Sequence, residues 1–297
     1  MRRIYIQTIG EICHTVDEPL PELKDLVAAA VGQPVRRISR FMQLALIGAG
    51  RCATKQSLPK ETAVYLASGR GDLEITLDVM NQLFREGQSP KPLSFVNTVS
   101  NAAAFYVAKC LGLTASSSFV CSRYFAFESA LQLALVDFAA GTIDAALIGS
   151  VDCAVAPLDV HRRRLGLNAD AQLAEASHWV FLSCEQTATA LGEIIAAASA
   201  ADLDSLQQWI AMQKLPVDGT AISCGQFLAS SDFESIQKQT GLRAAFDYRA
   251  GRGYYDSQSA AAVGEYLRSA KNKMRMLLHI NGDSLGRYSA MLIREAG

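Results

Sequence analysis

Thiols and imidazoles are the side chains here that could carry covalent chemistry: cysteines at 13, 52, 110, 121, 153, 184 and 224, and histidines at 14, 161, 178 and 279. Cys121 is the one suggestively placed. In "SSSFVCSRYFAFESALQLA", residues 116 to 134, it ends a short apolar β-like run just ahead of a helical stretch. A thiol on such a turn becomes a nucleophile when the positive end of the helix lowers its pKa and an imidazole stands close enough to move protons. No spacing gives Cys121 or Cys153 such an imidazole, and the plain reading of Cys121 is a strand thiol acting as a small core residue. The seven cysteines are odd in number, lie far apart and show no C-x-x-C spacing that could clamp a metal. They read as reduced thiols of a cytoplasmic protein with no metal and no cofactor.

The elements that must position these groups alternate between strand-like and helix-like, the pattern of an α/β architecture with a buried sheet. Strands are expected at 3–10, 61–71, 117–122, 144–153, 178–186, 192–200, 220–225, 243–249, 274–282 and 288–295. Helical spacing covers 38–53, 77–87, 100–113 and 127–141. The run "DAALIGSVDC" is apolar almost throughout, as in a strand covered on both faces. The pattern restarts after about residue 186, so we expect two α/β halves, 1–186 and 187–297, the second shortened.

The chain has 297 residues, half of them apolar, enough for a large core. Its 28 basic residues nearly cancel 29 acidic ones and are scattered apart from Arg162, Arg163 and Arg164, which argues against a nucleic-acid footprint. "MRRIYIQTIGEIC" lacks the features of a signal peptide, and no apolar run is long enough to span a bilayer, so a soluble protein without membrane contact is expected.

Several motifs resemble the β-ketoacyl synthases of the thiolase-like superfamily. In those proteins a nucleophilic cysteine follows a short strand, opens a buried helix, and precedes A-[LI]-x-x-A and then G-x-x-D leading into an apolar strand. This chain has "ALQLA" at 130–134 and "GTIDAALIGSVD" at 141–152, with "SPKPLSFVNTVSNAAAFYVAKCLGL" upstream. The resemblance covers most of the first half and is thinner in the second. It implies a thiolase-like layered αβαβα sandwich of two similar halves. The family cysteine stands six residues before the first alanine of A-[LI]-x-x-A, and that position here is Tyr124; counting from Gly141 gives the same residue. Cys121 comes three residues early. A phenol, which ordinarily titrates near a pH of about 10, is a poor acyl acceptor at neutral pH.

The first family histidine lies in H-G-T-G-T, which "AGRGY" at 250–254 resembles, with Ala250 at the histidine position. The second finds no counterpart, because only a short stretch separates "SAAAV" from "MLLHI". His279 precedes "NGDSLGRYS", which resembles the family's terminal glycine loop, while His14, His161 and His178 have no partner motif. Losing several members of one catalytic constellation costs orders of magnitude in rate.

The resemblance therefore implies a non-catalytic chain-length factor of the aryl-polyene type. Such a subunit would form a heterodimer with an active ketosynthase across "SNAAAFYVAKC" and "SSSFVCS". An acyl tunnel at the seam would be walled by Val99, Ala103, Phe105, Tyr106, Phe119 and Tyr124, with length control by steric exclusion. An acidic helical acyl carrier protein would bring the growing chain, and Arg162 to Arg164 could meet it. Two other readings stand beside this one: an active condensing enzyme or acyltransferase using Cys121, and a free-standing homodimer that senses acyl ligands.

Overall fold

The computed structural model describes residues 2–16, 21–99, 101–269 and 274–296. Ser100, which opens one expected helix, lies outside them. The strands are β1 (Ile4–Thr15), β2 (Ala63–Ser68), β3 (Ser117–Cys121), β4 (Ala145–Asp152), β5 (Ala174–Ser183), β6 (Gly192–Ala200), β7 (Thr220–Cys224), β8 (Met276–Gly282) and β9 (Tyr288–Glu295). The helices are α1 (Lys24–Val31), α2 (Arg40–Ala53), α3 (Leu73–Phe84), α4 (Pro92–Asn97), α5 (Ala102–Leu111), α6 (Ala126–Ala140), α7 (Leu158–Leu165), α8 (Leu203–Met212), α9 (Ser230–Thr240) and α10 (Ser259–Arg268).

Among the described residues the strands form one sheet in the order β3-β2-β4-β5-β1-β6-β9-β8-β7. The first five come from the first part of the chain and the last four from the second. The two groups are joined through the antiparallel pairing of Ile4–Ile6 with Gly192–Ile194. Layering follows from where the apolar side chains go. On β4, Ala146 and Ile148 enter one core while Ala145, Leu147 and Val151 enter another, so both faces are covered. The first core holds α6 and α10 between the two groups of strands. The second lies under α2 and α5, and a third under α8 and α9. Outer helices, the first group of strands, α6 and α10 within, the second group of strands and outer helices again give the αβαβα order.

Local chemistry sets the boundaries. Ser39 accepts from the Met42 amide and starts α2, and Asp72 accepts from the Ile75 amide and starts α3 four residues before the expected 77. Gly141, at φ 72°, ends α6 in the left-handed conformation that favours glycine.

The structure corrects the strand expected at 243–249. That segment meets β7 only through a bridge of Ala245 to Ile222, with Ile222 N donating to Ala244 O and Phe246 N donating to Ile222 O. Its alternation does turn one side inward, with Ala244 and Phe246 half-buried and Tyr248 buried while Arg243, Ala245 and Asp247 are exposed, but the backbone pairs with β7 at this one bridge and no ladder extends from it. The arginine triplet sits in the last turn of α7. Strand β5 starts at Ala174, earlier than expected, because β1 continues to Thr15 and pairs with it.

Candidate functional site

The site is the turn that carries the chain from β3 into α6. Helix α6 has Ala126, Ala130 and Ala134 fully packed between the two groups of strands, and these small side chains let the helix sit deep in the centre. Its first turn is therefore fixed, and so are the residues just before it.

Tyr124 stands immediately ahead of α6, half-buried. Its carbonyl accepts from Asn281 Nδ2 at 3.0 Å, and its hydroxyl lies 3.2 Å from Ser284 Oγ. Phe227 meets the ring edge-on with centroids 5.0 Å apart, Phe125 tilts against it at 6.4 Å, and the Arg123 guanidinium lies 5.3 Å from its centre. A large ring thus occupies the turn where the resemblance calls for a thiol.

Cys121 ends β3 exposed rather than in the core as expected, because β3 is the edge strand, and its thiol donates to Gly69 O at 3.7 Å. Although the residue reaches the surface, desolvation of its sulfur, then the Asp152 and Asp256 carboxylates, raise the thiol above its ordinary pKa, with Arg70 opposing them. That is the reverse of what activates a nucleophile. Beside it, Asp152 accepts from Ser68 Oγ and Gly69 N at 2.9 Å and from Ser257 N at 2.7 Å, and it also bonds the Ser257 hydroxyl. Asp256 accepts from Arg70 Nε at 2.8 Å. Burial, then the charge of Asp152, pushes the Asp256 carboxyl up to about 7, and Arg70 opposes the rise. An alanine at Gly69 would put its Cβ 2.0 Å from the Asp256 Cβ, so only glycine admits this approach.

His279, on β8, is completely buried. Its Nδ1 lies 2.9 Å from Ser223 Oγ and its Nε2 lies 3.8 Å from Glu128 Oε1. Desolvation, with the charge of Arg249 adding to it, lowers its pKa to about 3, so the ring is neutral at physiological pH. Burial raises the Glu128 carboxyl, which accepts from Asn281 Nδ2 at 3.1 Å. The sealed set Ser223–His279–Glu128 is out of contact with solvent.

The remaining sequence-derived residues fall in separate places. Val99, Ala103, Phe119 and Cys121 line one small cavity of about 90 Å³, with Phe41, Met42 and Arg70 among its other walls. Phe105 is exposed on α5, edge-on to Tyr106 with centroids 5.8 Å apart, and Tyr106 packs against the core under α2 and α5. Tyr124 is outside that cavity. Ala250 is exposed and lines a different cleft of about 540 Å³, with Glu11, Cys13, His14, Arg51 and Arg252. His178 is buried, 3.2 Å from Glu11 Oε2 and 2.7 Å from the Tyr255 hydroxyl, and His161 is buried on α7. Sequence reasoning missed Asn281, Phe227, Ser284, Glu128 and Ser223. Only "NGDS", inside a glycine loop, carried a signal that could have pointed to two of them.

No protein-family model and no curated protein matches the sequence. Solved structures do. A chain of a type II polyketide synthase acyl-carrier protein in complex with its ketosynthase bound to the hexaketide (AntDE:AntF) superposes with a TM-score of 0.77 at 12% identity, covering 100% of both chains. The ishigamide ketosynthase/chain length factor gives the same values. The 3-oxoacyl-(acyl carrier protein) synthase III of Pseudomonas aeruginosa PAO1 aligns at 0.64 and 17% identity over 99% of this chain and 98% of that one. The fold is thiolase-like. At these identities the likeness speaks for the architecture that ketosynthases and chain length factors share, and the turn before α6 must speak for the chemistry.

Proposed function

We propose that this chain is a non-catalytic chain-length factor, a cytoplasmic subunit that pairs with an active β-ketoacyl synthase and shapes the tunnel for a growing acyl chain in type II polyketide biosynthesis of the aryl-polyene type. The observation that carries the reading is Tyr124. Its ring is packed against Phe227 and Phe125 at the turn before α6, where an acyl-accepting thiol would have to stand. Two further observations support it: Cys121, three residues earlier in the chain, has its thiol pKa raised rather than lowered, and the imidazole of His279 is sealed from solvent.

In this proposal the partner's cysteine holds the chain and an acyl carrier protein delivers it. Steric exclusion by this subunit ends extension. Val99, Ala103 and Phe119 around the small cavity, with Phe105, Tyr106 and Tyr124, are the proposed wall. The first half, 1–186, supplies the dimer seam and the turn from β3 into α6, the elbow. Among the described residues the edge strand β3 has a partner on one side only, and the exposed Phe95, Val96, Val99 and Phe105 lie on α4, α5 and the link between them, which suits a partner chain of the same fold.

Co-expression with a type II ketosynthase tests this. A stable 1:1 complex in which only the partner becomes acylated is the expected result. A homodimer indifferent to the ketosynthase would discard the pairing, and acylation of Cys121 would favour an active condensing enzyme instead.

A further inference from the structure

We infer that Phe227 and Ser284, both from the second half of the chain, are positioning residues that clamp the Tyr124 ring in one orientation and keep the elbow closed. The inference deepens the proposed length control, because a wall sets a sharp length only if it does not move.

The clamp is built from the β-strands upward. After β7 the chain makes a tight turn in which Gly225 N donates to Ile280 O at 2.7 Å and Leu228 N donates to Gly225 O at 3.3 Å. A Cβ at position 225 would lie 2.2 Å from Asn281 Oδ1, so glycine is what lets the turn lie against β8 and bring Phe227 over the elbow. The two N–H bonds of the same Asn281 Nδ2 are shared among the Tyr124 carbonyl, Glu128 Oε1 and, at 3.2 Å, Ser259 Oγ, tying the starts of α6 and α10 to the end of β8. One asparagine therefore registers both the backbone of Tyr124 and the turn that carries Phe227.

Ser284 is held as firmly. Asp283 Oδ1 accepts from the Leu285 and Arg287 amides at 2.9 Å, and Oδ2 accepts from Arg287 Nε at 2.7 Å, which closes the loop between β8 and β9. Ser284, exposed at its tip, meets the Tyr124 hydroxyl. An edge-to-face ring pair, a hydroxyl contact and a guanidinium over the ring act on three different parts of one side chain.

The test introduces 3-fluorotyrosine at position 124 of the full chain, in whatever assembly it purifies, and follows its fluorine resonance. The clamp predicts one resonance displaced from that of the free amino acid. Phe227→Ala and Ser284→Ala should each move it toward the free position or split it, Phe227→Tyr and Ser284→Thr should restore it, and Ser284, being exposed, can be changed without cost to folding. A parent resonance already at the free position, or one unmoved by both alanine variants, overturns the inference. Product length tests the reading beneath it separately: with the partner ketosynthase, Tyr124→Ala and Phe227→Ala should lengthen the product alike and the double variant no further. An unmoved product with a moved resonance would count against length control and leave the clamp standing.

Discussion

Asp152 and Asp256 shape the elbow's electrostatics more than its thiol does. Asp256 binds a proton more tightly in the folded chain, with its pKa up at about 7, than an unfolded aspartate does. Its contribution is therefore fully present below about pH 4 and is lost as pH rises through 7, at up to about 1.4 kcal/mol per pH unit. Asp256→Asn removes this loss, so the melting temperature of the variant relative to the parent should climb between pH 5 and pH 8; a constant difference across that range would refute the assignment. Cys121 should alkylate more slowly with iodoacetamide at neutral pH than a free cysteine does, since its thiolate fraction is reduced. Tyr124→Cys should leave the chain without condensing activity, because the His279 imidazole is sealed in the core against Ser223. At this scale the sequence speaks through residues close along the chain: counting back from Ala130 and Gly141 picks out Tyr124, which the structure has just ahead of α6. Phe227 and Ser284 lie more than a hundred positions away, and nothing local announces that they meet the ring.

Elements were legible where their apolar pattern is continuous, as in β4, whose eight residues are all buried. Helix α9 buries only Ile236, and α10 opens with serine and three alanines whose burial no apolar–polar contrast reveals. The 243–249 segment shows the opposite failure, where alternating residues suggest a strand but only one bridge forms. Packing between elements yields its own prediction. Trp179 on β5 faces Gly149 across the β4–β5 ladder and Gly48 on α2, with its indole N–H donating to Ser177 Oγ at 2.8 Å. A Cβ at 149 would lie 2.0 Å from the indole ring. Gly149→Ala should destabilise the chain by roughly 1–3 kcal/mol, read as a lower urea midpoint with an unchanged slope; an unaltered midpoint would mean that the indole can shift aside.

For the whole molecule, the αβαβα layering was legible through a family resemblance, while the exposed apolar surface was only partly so. The seam was expected at "SNAAAFYVAKC" and β3, yet Phe84 and Leu83 at the end of α3 are also exposed and lay outside that expectation. If this face binds a ketosynthase, Phe105→Glu should weaken the complex at least tenfold without lowering the melting temperature of the chain alone, as measured by size exclusion and thermal unfolding. The central claim is that this fold carries no acyl-accepting thiol of its own. Intact-mass spectrometry of the chain, incubated with acyl-loaded carrier protein in the presence and absence of the ketosynthase, addresses it directly. An acyl adduct on the ketosynthase and an unmodified mass for this chain is the predicted result; an acyl adduct on this chain, removed by Cys121→Ala, would contradict it.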